Sequence, residues 1–170
     1  LNGVSVNKVR SALVTGRAGF SRCGRYRYWL RREWDSTLPQ CAFIGLNPST
    51  ADAQTDDPTI RRCMGFAQKW GYGSLLLVNL FSFRATDPAT LSEVSDPVGP
   101  AANNWLRRAD TESQLLVAAW GNGGHLFERA ISAAHLIHHA QCLGVTAKGM
   151  PRHPLYCPKR SRLIPYHPLG

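Results

Sequence analysis

The sequence predicts an α/β protein: a three-layer α/β/α fold around a central, mostly parallel four-stranded sheet, with a small N-terminal hairpin. Three short apolar runs, each too short for a helix, alternate along the chain with segments that begin at helix-start signals. These runs are apolar at nearly every position, which is typical of strands buried on both faces of a sheet. Strands that alternate with helices imply right-handed crossovers, and therefore a parallel sheet with helices on both faces. A length of 170 residues, 44% of them hydrophobic, predicts a single domain over residues 1–170.

The N-terminal part predicts an arm followed by a hairpin. Residues 1–20 are small and polar with little periodicity, which favours a loosely held arm. From Arg25 to Leu30, polar and aromatic residues alternate as in a half-buried strand. We therefore expect a short edge hairpin that leads to Trp34.

Four core strands and four helical segments are predicted after this hairpin. The first helix has an N-cap at Asp57 and a proline at its first position, and it ends at Gly71. The strands are predicted at residues 41–46, 74–80, 114–119 and 142–145. The other helices are predicted at residues 87–88, at 97–112, and from the glycine-rich turn 121–124 to about residue 140. The last 25 residues are rich in proline, which predicts mostly irregular structure.

Charge is distributed unevenly along the chain. The 20 lysines and arginines outnumber the 11 acids, for a formal net charge of +9. All of the acids lie between Glu33 and Glu128, so the two ends carry basic side chains without an opposing acid. Two basic ends indicate a polyanionic partner, most often nucleic acid. The alternative is that these charges are only solvated.

The cysteines and histidines do not predict a cofactor. The five cysteines are widely spaced and form no C-x-x-C pair, which argues against a disulfide framework or a zinc ribbon. His135, His138 and His139 have the spacing of a metal site on a helix. No acid or cysteine partner completes a metal-ligand pattern with them, so histidines favoured by a helix C-terminus are the preferred interpretation.

The N-terminal residues contain no apolar core of the length that a signal peptide needs, and no stretch approaches 18 apolar residues. We therefore expect a cytoplasmic protein without a membrane partner.

Polar and glycine-rich segments follow the predicted strands, where an open parallel sheet binds its ligands. Asn47 and Asn79 end two adjacent strands, and the turn 121–124 follows a third. A carboxamide carries donors and an acceptor in one plane, so it can read the edge of a nucleobase. Alternatively, each asparagine caps the turn after its strand. The glycine-rich turn lacks a dinucleotide fingerprint and a Walker lysine, so a tight strand-to-helix turn is favoured over a phosphate cradle.

His153 is a third candidate for the same site. It lies in a proline-containing segment that fixes its position, and it can donate a hydrogen bond to an oxygen that becomes negative in a transition state. The alternative is a loop histidine without a role.

Four short motifs occur in an order that resembles the uracil-DNA glycosylase superfamily. They are Gly45-Leu46-Asn47-Pro48-Ser49, Leu75-Leu76-Leu77-Val78-Asn79, Val117-Ala118-Ala119-Trp120-Gly121 and His153-Pro154-Leu155. Asn-Pro-Ser-Thr followed by Asp-Asp-Pro-Thr-Ile-Arg-Arg is similar to a bacterial group of that superfamily that has carried no functional name. The resemblance identifies residues 1–170 as one uracil-DNA-glycosylase-like domain.

The resemblance implies a monofunctional DNA glycosylase that flips a nucleotide out of the stack and hydrolyses its N-glycosidic bond, leaving an abasic site. Asn79 would read the base edge, Asn47 would position water, and His153 would stabilise the departing base. Asn47 stands where the uracil-specific enzymes have a general-base aspartate. Asp56 and Asp57 are candidate substitutes, although Asp57 is better explained as a helix cap.

The resemblance also implies residues that bind the base and the DNA. Ser49 replaces a tyrosine that blocks 5-substituted pyrimidines, and Phe81 is a candidate stacking aromatic, with Phe66 and Phe83 as alternatives. Leu155 and Tyr156 would wedge into the gap left by the flipped base. Basic side chains near this wedge would contact phosphates: Arg152, Lys159, Arg160 and Arg162.

The leading hypothesis is excision of a bulky 5-modified cytosine, such as the glucosylated hydroxymethylcytosine of phage DNA, in antiviral defence. The alternatives are repair of uracil or mismatched thymine, a non-catalytic DNA-binding module, and hydrolysis of free nucleosides, which would not need two basic ends. DNA, duplex or single-stranded, is the predicted partner, and no cofactor and no obligate protein partner are predicted.

Overall fold

A computed structural model of the chain describes residues 13–167 and shows a mixed α/β fold, as predicted. The strands are Thr15–Phe20 (β1), Arg27–Glu33 (β2), Gln40–Gly45 (β3), Ser74–Asn79 (β4), Leu115–Ala118 (β5), Ala140–Cys142 (β6) and Ile164–Pro165 (β7). The α-helices are Pro58–Lys69 (α1), Ala102–Glu112 (α2) and Arg129–Ala134 (α3). Short 3₁₀ helices span Pro88–Glu93, Gly121–Glu128 and Pro154–Tyr156.

The prediction of a four-stranded, mostly parallel sheet is wrong. The sheet has seven strands in the order β1-β2-β4-β3-β5-β6-β7. The pairings β4-β3, β3-β5 and β5-β6 are parallel, whereas β1-β2, β2-β4 and β6-β7 are antiparallel. The N-terminal hairpin does not stand apart from the sheet, because β2 pairs with β4 and extends it.

Part of the predicted N-terminal arm is a strand. β1 lies within residues 1–20 and pairs with β2, from Thr15 opposite Glu33 to Phe20 opposite Arg27. Residues 1–12 of the predicted arm lie outside the described residues. The strand could not be predicted from composition, because β1 is mostly exposed at a sheet edge and backbone pairing rather than burial stabilises it.

Apolar side chains pack on both faces of the sheet. On one face, α1 contributes Ile60 and Phe66 to the core. On the other face, Leu106 of α2 and Ala133 of α3 pack against the sheet. Every residue of β4 is buried, which explains its continuous apolar sequence.

The helix predicted between the glycine-rich turn and residue 140 is broken. Phe127 and Glu128 have φ angles of 52° and 51°, which a continuous right-handed helix excludes. The segment therefore forms 3₁₀ turns over Gly121–Glu128 that are interrupted at Leu126 and Phe127, and then the short α3, which ends at Ala134. β6 begins at Ala140, two residues before the strand predicted there.

Candidate functional site

A pocket of about 200 Å³ opens at the carboxyl ends of β3, β4 and β5. Gly45, Asn79 and Ala119 line it at the strand ends. Residues that were predicted from three separate motifs meet in this pocket: Asn47, Ser49, Asn79 and His153. The sheet brings the first three together because its parallel strands end at one edge.

Asn79 offers the pocket a buried donor without a partner. Its side chain is 3% exposed, and its Nδ2 atom is buried with no hydrogen-bond partner in the described part of the chain. Its Oδ1 lies over Gly45, where an added Cβ would be only 2.6 Å away. Glycine at position 45 thus leaves the space that this carboxamide occupies. An unsatisfied buried polar group costs about 1–3 kcal/mol, so a ligand acceptor at Nδ2 would remove a substantial cost.

Asn47 joins two loops at the rim of the pocket. Its Nδ2 donates to the carbonyl oxygens of Ala85 at 2.8 Å and of Pro48 at 3.1 Å. The Ala85 N–H donates in turn to the Pro48 carbonyl at 2.9 Å. The Nδ2 of Asn47 therefore stabilises the turn, as the alternative interpretation of this asparagine predicts. Its Oδ1 is the atom left to hold a water molecule or a ligand donor.

Asp57 supplies a carboxylate to the same pocket. Its Oδ1 accepts from the Ile60 N–H at 2.8 Å and caps α1, as predicted. Its Oδ2 accepts from the Ser49 hydroxyl at 3.3 Å. Asp56, the other acid considered for this role, instead forms an ion pair with Arg32 at 2.8 Å. Asp57 is therefore both a helix cap and the carboxylate that this site offers to a ligand.

His153 presents a neutral ring with a defined proton position. Its Nδ1 accepts from the Leu155 N–H at 3.3 Å, so the proton of the neutral ring lies on Nε2. Burial lowers the pKa of His153 below its ordinary value of 6.5, and the nearby Asp57 partly opposes this shift. Near pH 7 the ring is therefore a neutral donor through Nε2.

Contacts from two sides hold the segment that carries His153. Arg62 of α1 donates from Nε to the Pro154 carbonyl at 3.3 Å and from Nη2 to the Cys157 carbonyl. From the other side, the Gly121 N–H donates to the Pro151 carbonyl at 2.9 Å. Arg62 thus acts as a positioning residue for the histidine.

Arg27 also lines the pocket, although its place in an alternating strand did not predict it as a site residue. It is 1% exposed, and its Nε is buried without a partner. Its Nη1 donates to the Ala51 carbonyl. Burial lowers the pKa of Arg27 to about 10, with Asp57 partly opposing the shift, so the side chain stays charged at neutral pH. A guanidinium can only donate, and a ligand atom that meets it must therefore be an acceptor.

Phe81 is not placed to stack on a bound base, so that prediction is wrong. The side chain is completely buried in the core and contacts Phe127 edge to face, at 6.3 Å between ring centroids. It is not among the pocket residues. Phe81 lies two residues after the end of β4, at a point where the chain is still inside the packed interior.

The residues predicted to contact DNA lie on the surface beside the pocket. Leu155 is 43% exposed and Tyr156 is 81% exposed, and both lie within three residues of His153 in the sequence. The basic side chains predicted to contact phosphates are also exposed: Arg152, Lys159, Arg160 and Arg162.

The other predicted motifs have structural explanations. A Cβ at Gly123 would collide with Leu46, and one at Gly124 would collide with Trp120, so the glycine-rich turn is closely packed. Of the three histidines with helical spacing, His138 pairs with Asp110 at 2.8 Å. Within residues 13–167, no group of three histidine, cysteine or acidic side chains is arranged to hold a metal ion. None of the helices over these residues has the length and apolarity to cross a membrane.

Fold and site together define a mixed α/β protein with a small polar pocket at the carboxyl ends of its parallel strands. Residues 27–155, more than half of the chain, match the model of a family described as "Protein of unknown function (DUF1643)", and the chain belongs to that family. Comparison with curated proteins yields no match, and comparison with solved structures yields none either.

The family match shows that the resemblance to the uracil-DNA glycosylase superfamily is wrong, because the matched family is a different one. The four motifs are short, and several of their residues have local structural causes. Gly45 makes room for the Asn79 carboxamide, and Asn47 ties two loops together. Strand ends of many α/β proteins favour glycine and asparagine turns, so such motifs can occur in the same order in an unrelated family.

Proposed function

We propose that the protein is a DNA glycosylase that hydrolyses the N-glycosidic bond of a flipped-out base and leaves an abasic site. The observation that carries this proposal is the unpartnered Nδ2 of Asn79, in a pocket that also holds a neutral histidine and a carboxylate. The proposal rests on these side chains and on no family membership. A pocket with convergent polar groups and perturbed titratable groups is the expected form of a binding site.

The volume of the pocket supports a base-sized ligand. About 200 Å³ corresponds to about seven water molecules at roughly 30 Å³ each. A pyrimidine with a small 5-substituent suits this volume. The hexose of glucosylated hydroxymethylcytosine would have to extend through the mouth of the pocket.

The donors in the pocket favour one of the alternative substrates. Arg27 can only donate, whereas the carboxamide of Asn79 can donate through Nδ2 and accept through Oδ1. A carbonyl oxygen at the edge of the base that faces Arg27 satisfies the guanidinium, whereas the exocyclic amino group of cytosine would set donor against donor there. A uracil or a mismatched thymine is therefore a better candidate than a modified cytosine, since rejection by unpaired buried groups is strong.

The chemistry follows from the positions of two side chains. The C1′–N bond breaks, and its electron pair leaves with the base. The Nε2–H of His153 donates to the base oxygen on which negative charge develops. The Oδ2 of Asp57 releases its hydrogen bond from the Ser49 hydroxyl and accepts a proton from the attacking water. The hydroxide formed from that water bonds to C1′, and the proton held by Asp57 passes through solvent to the departed base.

Duplexes of one sequence test the proposal, each with a single uracil, mismatched thymine, hydroxymethylcytosine or glucosylated hydroxymethylcytosine. After incubation, alkali cleaves any abasic site. We expect cleavage at uracil or thymine, and a loss of about 10²-fold or more in His153→Gln. His139→Gln, an exposed histidine outside the pocket, is the matched control and should keep full activity. Retained DNA binding without cleavage of any duplex would identify a non-catalytic DNA-binding module and refute the glycosylase.

A further inference from the structure

A second groove runs beside the pocket, between α1 and the segment 155–159. Its volume is about 500 Å³. Four cationic side chains line it, and its lining includes no acid: Arg61, Arg62, Lys69 and Lys159. Gly65 lies between them on α1 and leaves the groove open.

The positive charge of this groove is not compensated locally. Arg62 and Lys69 donate to backbone carbonyls, which satisfies their hydrogen bonds but does not neutralise their charge. The ion pairs found within residues 13–167 involve none of the four cations. A cluster of this kind raises the local concentration of polyanions.

The groove continues from the pocket. Pro58 and Leu155 line the groove, while their sequence neighbours Asp57 and Pro154 line the pocket. Along α1, residues 61, 65 and 69 share one face and span about 12 Å, at 1.5 Å of rise per residue. A ligand strand that leaves the pocket beside Pro154 therefore meets a row of cationic side chains.

We infer that this groove binds the phosphodiester backbone of the DNA strand that continues from the flipped nucleotide. This inference rests on the proposed function, because it assumes that a nucleotide occupies the pocket. It adds Arg61, Arg62 and Lys69 on α1 to the basic residues of the C-terminal segment. Charge, openness and continuity with the pocket all favour a polyanionic strand over an uncharged ligand.

Gly65 allows a sharp test by Gly65→Glu with Gly65→Gln as the matched control. An added Cβ at this position meets nothing within 4 Å, and residues other than glycine are favoured inside a helix. Both variants should therefore fold at least as well as the wild type.

Affinity is measured by fluorescence anisotropy with a labelled duplex that contains one 2′-fluorouridine, which resists excision. At 50 mM salt we expect about tenfold weaker binding for Gly65→Glu, and binding within about twofold of the wild type for Gly65→Gln.

Salt dependence gives a second measurement. Lys159→Gln should reduce the slope of log affinity against log salt concentration by about 1, as expected for one lost phosphate contact.

Equal affinities of the two Gly65 variants, or an unchanged salt slope, would overturn the groove inference while leaving excision untouched. Wild-type protein that binds the duplex through this groove but excises no base would overturn the proposed function alone. Absence of any DNA binding would overturn both.

Discussion

The unpartnered amide of Asn79 predicts that one substitution raises stability and lowers activity. In the protein without ligand, the buried Nδ2 of Asn79 loses its hydration without gaining a hydrogen bond, at a cost of about 1–3 kcal/mol. Leucine is close to asparagine in shape and has no polar atom. We therefore expect Asn79→Leu to raise the free energy of unfolding by about 1–2 kcal/mol. For a domain of this size, that corresponds to an increase in Tm of about 2–8 °C.

In the proposed function, the same substitution removes the donor that would contact the base. Loss of one hydrogen bond to the base, at about 1.4–2.8 kcal/mol, lowers kcat/KM by about 10- to 100-fold. Urea denaturation measures the first effect, and single-turnover cleavage of the uracil duplex measures the second. Asn104→Leu is the control, because Asn104 is exposed on α2 and its replacement should change both quantities little. If Asn79→Leu destabilised the protein by more than about 1 kcal/mol, or left excision unchanged, Asn79 would be only a turn residue.

Three further substitutions test the other pocket residues. Asp57→Asn keeps a good helix cap, so the free energy of unfolding should change by less than about 1 kcal/mol. The rate of single-turnover excision should fall by about 10²-fold, because the variant cannot accept a proton from water. An unchanged rate would remove Asp57 from the mechanism. Arg27→Met should reduce the preference for uracil over cytosine duplexes by about tenfold in kcat/KM, a ratio that does not depend on the fraction of folded protein. Because burial lowers the pKa of His153, the unfolded chain binds more protons below pH 6.5, and the free energy of unfolding should decrease as the pH falls from 6.5 through the lowered pKa. Denaturation across this range should show a weaker pH dependence of the free energy of unfolding in His153→Gln than in the wild type. An equal pH dependence in both would show that His153 does not cause the decrease.

The strands of the sheet interior could be predicted from the sequence, but the sheet edges could not. The apolar runs of β3, β4 and β5 are continuous because both faces of these strands are buried. β1 carries no such pattern, and β7 is only two residues long. Their places depend on pairing with β2 and β6, which a local pattern does not encode.

The site was predictable where its residues lie at or near the ends of strands. Asn47 and Asn79 could be placed together because parallel strands end at one edge. Arg27 could not, since in an alternating strand a polar residue is expected to face solvent. Its burial depends on the loop after β3, whose Ala51 carbonyl accepts from the guanidinium. Only the tertiary fold reveals that this arginine belongs to the pocket.

The polar pocket is difficult to explain by stability alone. Arg27 and Asn79 each hold a buried donor without a partner, and Asp57 adds a carboxylate to the same 200 Å³. Apolar side chains at these positions would avoid the desolvation costs, which amount to about 1–3 kcal/mol for each unsatisfied group. A ligand with acceptors toward Arg27 and Asn79 recovers that free energy on binding, so it should bind tightly for its size. A glycosylase and a binding module would share this property, and they would differ in whether Asp57 takes a proton from water while His153 stabilises the departing base.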